Sequence, residues 1–152
     1  MTLDIQRYDQ LGTMKIDWLD AHYHFSFADY HNPKRMGLGP LRVINDDIVS
    51  AGGGFAPHPH RDMEIITYVR AGAISHEDSL GNKGKTEAGD IQVMSAGSGI
   101  THSEWNEEPT ATRLYQIWIH SRDKGTPPRW EAKKFPKAEG ALHLLASGQA
   151  GD

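Results

Sequence analysis

The 152-residue chain contains no cysteine. That absence removes disulfides, thiolate nucleophiles, cysteine-based zinc fingers and iron–sulfur clusters together. Any metal must then be held by His, Asp or Glu. A cationic surplus is missing as well: 16 Lys and Arg stand against 20 Asp and Glu, for a net charge of −4. With no basic excess to neutralise phosphates, direct nucleic-acid binding is not expected. Long apolar runs are lacking too, and none approaches the roughly 20 residues that cross a bilayer as a helix. The opening MTLDIQRYDQ has neither the basic nor the apolar stretch of a secretory signal. The expectation is a cytoplasmic protein with no membrane partner, of a length that suits one domain.

What is present reads as strands and turns. Residues 1–40 mix short apolar pieces with aromatics. Asn32-Pro33 and Gly37–Pro40 are turn signals there, and no helical stripe survives between them. From Leu41 onward, β-branched runs bounded by glycine predict strands over 41–50, 63–70, 73–79, 90–95 and 113–120, with a turn at Gly81–Gly84. Such short strands at regular spacing predict an all-β sandwich or barrel. After about Asp123 the pattern dissolves, and LHLLAS (142–147) reads as one further strand just before the sequence stops.

Chemistry concentrates in two clusters. In FAPHPHRDMEIITYV, His58, His60 and Glu64 share parity, so an extended strand turns them to one face. In GITHSEWN, His102 and Glu104 are again two apart, and His102 lies 42 positions after His60. That interval holds about three strands with their turns, enough to return the second cluster beside the first. Imidazoles with one carboxylate and open positions form the ligand set of non-haem Fe(II) and related divalent sites. The remaining histidines, 22, 24, 31, 76, 120 and 143, read as surface or hydrogen-bonded polar residues. Glu64 could equally serve a structural bond to Arg61 or Arg70.

Gly52, five residues, His58-Pro59-His60, three residues and Glu64 resemble the first cupin motif, with Gly72 one place late. Gly89 through Ala96-Gly97 to His102 and Asn106 is similar to the second, with Ser95 in place of proline and two extra residues before His102. More specifically, HPHRDMEIITYVRAGAISHEDSLGNKG and AGDIQVMSAGSGITHSE resemble the N-terminal half of the pirins, as do LRVINDD and LYQIWI. The likeness runs from WLDAHYHFSFADY (18–30) to LHLLAS. It implies an all-β, jelly-roll-like antiparallel β-barrel of the cupin type, forming a single domain over 1–140. Pirins usually carry a second cupin domain, and 141–152 resembles the start of one.

The resemblance also implies one divalent metal, Fe(II) foremost, with Mn, Ni, Co, Cu and Zn compatible with the same donors. The family's ligands fall on His58, His60, His102 and Glu104, which leaves Glu64 to orient ligands without binding. Three functions are compatible with that set. The first is a quercetin 2,3-dioxygenase-type enzyme that opens a flavonol ring with O2 and releases carbon monoxide, with Glu104 assisting proton removal. Phe25, Phe27, Met94 and Trp118 are candidate walls of its substrate pocket. The second is a non-catalytic, metal-dependent regulator or redox sensor working through protein contacts. The third is a cupin whose metal only stabilises the fold. An uncovered sheet face in a lone cupin unit further predicts self-association into a homo-oligomer.

Overall fold

The structure, a computed structural model, describes residues 3–137, 140 and 142–148. Among the described residues, eleven strands follow a 3-10 turn at Tyr8–Gln10. They are β1 (Gly12–Lys15), β2 (Leu19–Tyr23), β3 (Leu41–Val49), β4 (Gly54–His60), β5 (Met63–Ala71) and β6 (Ala73–Asp78). β7 (Lys83–Glu87), β8 (Ile91–Ser95), β9 (Ile100–Trp105), β10 (Thr112–His120) and β11 (Arg129–Lys133) complete the set. No described helix is long and apolar enough to cross a membrane.

Every ladder is antiparallel. One sheet has the order β1-β2-β3-β10-β5-β8-β11, and the other β4-β9-β6-β7. The all-β class is therefore as the sequence implied, but the expected barrel is not closed. Closure needs an unbroken ring of ladders. Here each sheet ends in free edges, and no ladder joins one sheet to the other among the described residues. The edges are blunted by their composition: β4 carries Pro57 and Pro59, which have no N–H to offer, and β7 carries Lys83, Lys85 and Glu87.

The core lies between the sheets. Leu19, Ala21, Tyr23 and Val49 form one cluster, Ile65, Met94, Ala96 and Ile100 a second, and Val69, Ile74 and Leu114 a third. Inward residues follow the period of two expected of half-buried strands. In β3 the inward face reads Val43, Asn45, Asp47, Val49; in β10 it reads Thr112, Leu114, Gln116, Trp118. Apolar residues hold the ends of β3, and polar ones interrupt its middle.

The five strands predicted from sequence are all present. The predicted turn at 81–84 holds at Gly81 and Asn82, while Lys83 and Gly84 already belong to β7, and β11 emerges where the pattern had dissolved; both are edge strands whose side chains are mainly exposed, so apolar alternation is absent from them. The predicted strand at 142–147 is not formed. Leu144–Ser147 instead line a groove with Ile91 and Val93 of β8 and Arg129, Glu131 and Lys133 of β11. Of the tail at 141–152, residues 141 and 149–152 lie outside the described residues.

Candidate metal centre

β4 is the edge of the smaller sheet and pairs only with β9. Its register slips by one residue between Phe55 and His58, a β-bulge at Ala56-Pro57. Phe55 therefore opposes Glu104, His58 opposes His102 and His60 opposes Ile100. Two glycines make the approach possible. Gly52 takes a positive φ of 72° in the preceding turn. At Gly54, a Cβ would collide with the Glu104 carbonyl oxygen and the Trp105 ring.

The bulge and the two-residue period bring three imidazoles together. Ring centroids are 4.5 Å apart for His58 and His102, 4.8 Å for His58 and His60, and 5.0 Å for His60 and His102. One nitrogen from each lies within 4.8 Å of the others. A second trio within the same limit is His76, His102 and Glu104. His76 and Asp78 come from β6, which runs beside β9 and aligns His76 with Glu104 and Asp78 with His102.

Hydrogen-bond partners assign the tautomers. His58 Nδ1 lies 2.8 Å from the Ala56 carbonyl, an acceptor only, so Nδ1 carries the proton and Nε2 keeps its lone pair. His76 Nε2 donates to Asp78 Oδ2 at 3.0 Å, which leaves His76 Nδ1 as an acceptor. That nitrogen is 3.3 Å from His102 Nδ1, so His102 donates there and exposes its own Nε2 lone pair. The two free Nε2 atoms of His58 and His102 then face each other at 3.1 Å. His60 Nε2 is buried with no hydrogen-bond partner. Burial, reinforced by neighbouring imidazoles, pushes His60 down to about 4 and His102 down to about 3, so both are neutral at pH 7. Lone pairs converging with no proton between them make a cation site, and neutral imidazoles are the form that binds one. The donors fit a divalent ion.

Burial works against the Asp78 carboxylate, yet hydrogen bonds from His76, Asn82 and the Leu80 and Asn82 amides hold it below the ordinary carboxylate range. His76 is further fixed by stacking on Trp130, with centroids 4.6 Å apart and planes 7° from parallel. His76 is hydrogen-bonded, one of the two roles the sequence left open for it, and its ring also hands its orientation on to His102, which the sequence reading missed. The signal was available: His76 and Asp78 are two apart in AISHED, as are His58 with His60 and His102 with Glu104.

Glu104 is fully buried in a polar nest. Thr67 Oγ1 and Gln92 Nε2 donate to its Oε1 at 3.2 and 2.6 Å, and Gln116 Nε2 donates to Oε2 at 2.7 Å. Burial raises its carboxyl to about 7, against the pull of those three donors. Glu64 does not orient the histidines. Ser95 and Ser121 hydroxyls occupy its two oxygens at 2.5 and 2.6 Å, and neither Arg61 nor Arg70 takes them.

Beside the histidines opens a cavity of about 530 Å³ between the sheets. Its apolar lining includes Trp18, Tyr23, Phe27, Phe55 and Trp118, while His58, Glu104 and Gln116 contribute its polar side. Of the expected walls, Phe27 and Trp118 are there; Met94 sits instead in the core with Ile65 and Ile100, and Phe25 is buried beneath Arg35. Asn45 and Asp47 also line the cavity. Sequence reasoning passed over them, although they are polar at the inward parity of LRVINDDIV.

The pirin family profile matches residues 4–119. A Pseudomonas aeruginosa protein provisionally named as a quercetin 2,3-dioxygenase is 62% identical over 147 residues, covering 95% of this chain and 63% of its own. A Caulobacter vibrioides pirin-like protein is 55% identical, covering 99% of this chain and 66% of its own. The Escherichia coli protein named quercetin 2,3-dioxygenase is 47% identical over 93% of this chain and 62% of its own. The chain thus spans less than two thirds of the length of these relatives. Among solved structures, Escherichia coli YhhW superposes with a TM-score of 0.85 at 49% identity, covering 88% of this chain and 58% of that one. The same bacterial pirin in complex with nickel(II) matches with a TM-score of 0.82. The strand order, the histidine cluster at the edge of the smaller sheet and the match over most of the sequence agree: this chain belongs to the pirin family of cupins.

Proposed function

We propose that this chain carries the metal centre of a flavonol-opening dioxygenase, the activity for which its Escherichia coli relative is named. The observation that carries the reading is the pair of facing Nε2 lone pairs on His58 and His102, set beside an aromatic-lined cavity. His58, His60 and His102 would hold the ion, with Glu104 as the fourth ligand and Fe(II) as the expected metal. A divalent ion held there would supply Lewis acidity and open coordination positions.

The protein's own part is positional and protolytic. Phe27, Phe55 and Trp118 offer flat apolar contact for fused rings and exclude water. The donors from Gln92, Thr67 and Gln116 fix the Glu104 carboxylate. Glu104 is the carboxylate that would take up the hydroxyl proton. The Asp78–His76 pair keeps His102 in the tautomer that presents Nε2.

The test is a set of variants purified without oxygen, each analysed for bound metal and for flavonol-dependent O2 uptake. His58→Ala and His102→Ala are expected to lose the metal. Glu104→Gln is expected to weaken binding and abolish uptake, whereas Glu64→Gln, tied only to Ser95 and Ser121, stays close to the parent. A fully metal-loaded parent that consumes no flavonol would overturn the oxygenase reading and favour a sensor built on the same ligands.

A further inference from the structure

Two polar residues with buried, unpaired acceptor atoms line the cavity from the sheet opposite the histidines. Asn45 and Asp47 are 4% and 3% exposed, stand on the inward face of β3 and line the cavity. Asn45 Oδ1 and Asp47 Oδ1 have no hydrogen-bond partner. Buried polar atoms are nearly always paired, so an orphan calls for an explanation. Among the described residues, the other orphans are His60 Nε2, which belongs to the metal centre, and Arg70 Nε and Trp130 Nε1, which do not line the cavity.

The surroundings of these two acceptors bear on what they want. Gln116, opposite Asn45 on β10, donates from its amide to Glu104 and accepts at its carbonyl from Trp118 Nε1. Among the described residues, neither Asn45 Oδ1 nor Asp47 Oδ1 receives a hydrogen bond. Burial, with Glu104 and Asp46 nearby, raises Asp47 above the ordinary carboxylate range, and a carboxyl beside an amide can pair with a hydroxyl. Tyr23, Phe27 and Trp118 flank the space between this pole and the histidines with apolar surface. A ligand that satisfies both ends is flat and aromatic, with an oxygen for the metal centre at one end and a hydroxyl at the other.

We propose that Asn45 and Asp47 form a second recognition pole, which binds a phenolic hydroxyl at the end of a polyhydroxylated aromatic ligand distant from the histidine cluster. The pole rests on the reading above only in taking the histidine cluster as the reacting end. It makes Asn45 and Asp47 specificity residues: they select ring systems hydroxylated at both ends over those hydroxylated at one. An analogue without the distal hydroxyl would leave both acceptors desolvated and unpaired, which is how polar pockets reject it.

The experiment measures binding under argon by quenching of tryptophan fluorescence, Trp18 and Trp118 both lining the cavity. The probes are quercetin, hydroxylated on all its rings, and 3-hydroxyflavone, which keeps only the hydroxyl next to the ketone. The metal-loaded parent is expected to favour quercetin by about tenfold or more, the value of a net hydrogen bond to a buried group. Asp47→Leu and Asn45→Leu bring that ratio to within about twofold. Asp47→Asn, which still gives and takes hydrogen bonds, retains most of it. Leucine removes an unpaired polar atom without a large change of volume, so the melting temperature of Asp47→Leu should not fall. If that variant does not fold, Asn45→Leu and Asp47→Asn carry the same comparison. Equal affinities in the parent, an unchanged ratio in the leucine variants, or no quercetin binding at all would each overturn the proposal. Discriminating binding without O2 consumption would leave the pole standing and retire the oxygenase reading alone.

Discussion

Replacing Asp78 with Asn should invert the protonation of a chain of three side chains and so weaken the metal centre without dismantling the fold. Asp78 Oδ1 accepts from the backbone amides of Leu80 and Asn82 at 2.9 and 3.1 Å. In Asp78→Asn, the amide oxygen must stay at that position, because an NH2 group would there meet two donors. The NH2 then turns to His76 Nε2, which has to accept rather than donate. It also meets the Asn82 side chain, whose Nδ2 donates to this position at 3.0 Å in the parent and must turn its oxygen there instead. His76 consequently carries its proton on Nδ1, and His102 Nδ1 becomes the acceptor across their 3.3 Å contact. The His102 proton moves to Nε2, the atom that should present a lone pair. Loss of such an orienting partner typically costs about 10–100-fold in metal affinity, or about 1.4–2.7 kcal/mol.

The metal-free protein behaves differently. There the relocated Nε2–H points at the His58 Nε2 lone pair 3.1 Å away and makes a hydrogen bond where two acceptors had faced each other. That gain offsets part of the lost carboxylate, so the metal-free melting temperature should move far less than the metal affinity. The assays are chelator competition for affinity and long-range proton–nitrogen correlation spectra of the histidine rings for tautomers. His76→Ala serves as the contrast: it also removes the stack on Trp130 and should lower stability with or without metal. Parent-like affinity in Asp78→Asn, or an Nε2-protonated His102 in the metal-free parent, would refute the reasoning.

Two further outcomes follow from the same geometry. Asp47 has its folded pKa raised to about 8, against an unfolded value near 4, so the folded state holds this proton more tightly. Its contribution to stability therefore falls as pH climbs from about 4 to about 8, and Asp47→Asn should be increasingly stabilising across that window and level off above it. Melting temperatures of both proteins from pH 5 to 9 check this, and a constant difference would contradict it. Gly54→Ala forces a methyl group against the Glu104 carbonyl and the Trp105 ring, so it should destabilise by about 1–3 kcal/mol and loosen metal binding with it. Urea unfolding and metal titration of that variant provide the measurement.

The strands that could be read from sequence were those whose residues alternate against a core. LRVINDDIV, MEIITYVRA and TRLYQIWIH each have a buried face, and that face is visible as period-two hydrophobicity. β7 and β11 have little buried surface, so nothing in KGKTE or RWEAK announces a strand; pairing with a neighbour decides their form. Closure into a barrel is a property of ladders between distant strands, and no local pattern encodes it. At the site, the spacing of His58 with His60 and of His102 with Glu104 was legible because a strand repeats every two residues. The bulge at Ala56-Pro57, which aligns Phe55 with Glu104 and His58 with His102, was not, since it depends on which partner β4 finds. Glu64 shows the limit of parity: it shares the phase of the histidines in the sequence, but lies beyond Arg61-Asp62, on β5 in the other sheet. Asp62 has a positive φ of 51°, and at that corner the count of two is lost.

The position of β4 has one more consequence. It is hydrogen-bonded along one side only, contains two prolines, and yet supplies two of the three clustered histidines together with Phe55, Ala56 and His58 of the cavity wall. An ion shared between His58, His60 and His102 would act as a rivet through the β4–β9 seam, adding to it whatever free energy the ion's binding provides, about 2.7 kcal/mol when the free ion stands at 100 times its dissociation constant. Occupancy and the shape of the chamber then become a single equilibrium. Draining the ion should first fray this seam, seen as faster amide exchange in β4 and β9 than in β3, β5 and β10, and only afterwards reach the seven-stranded sheet behind it.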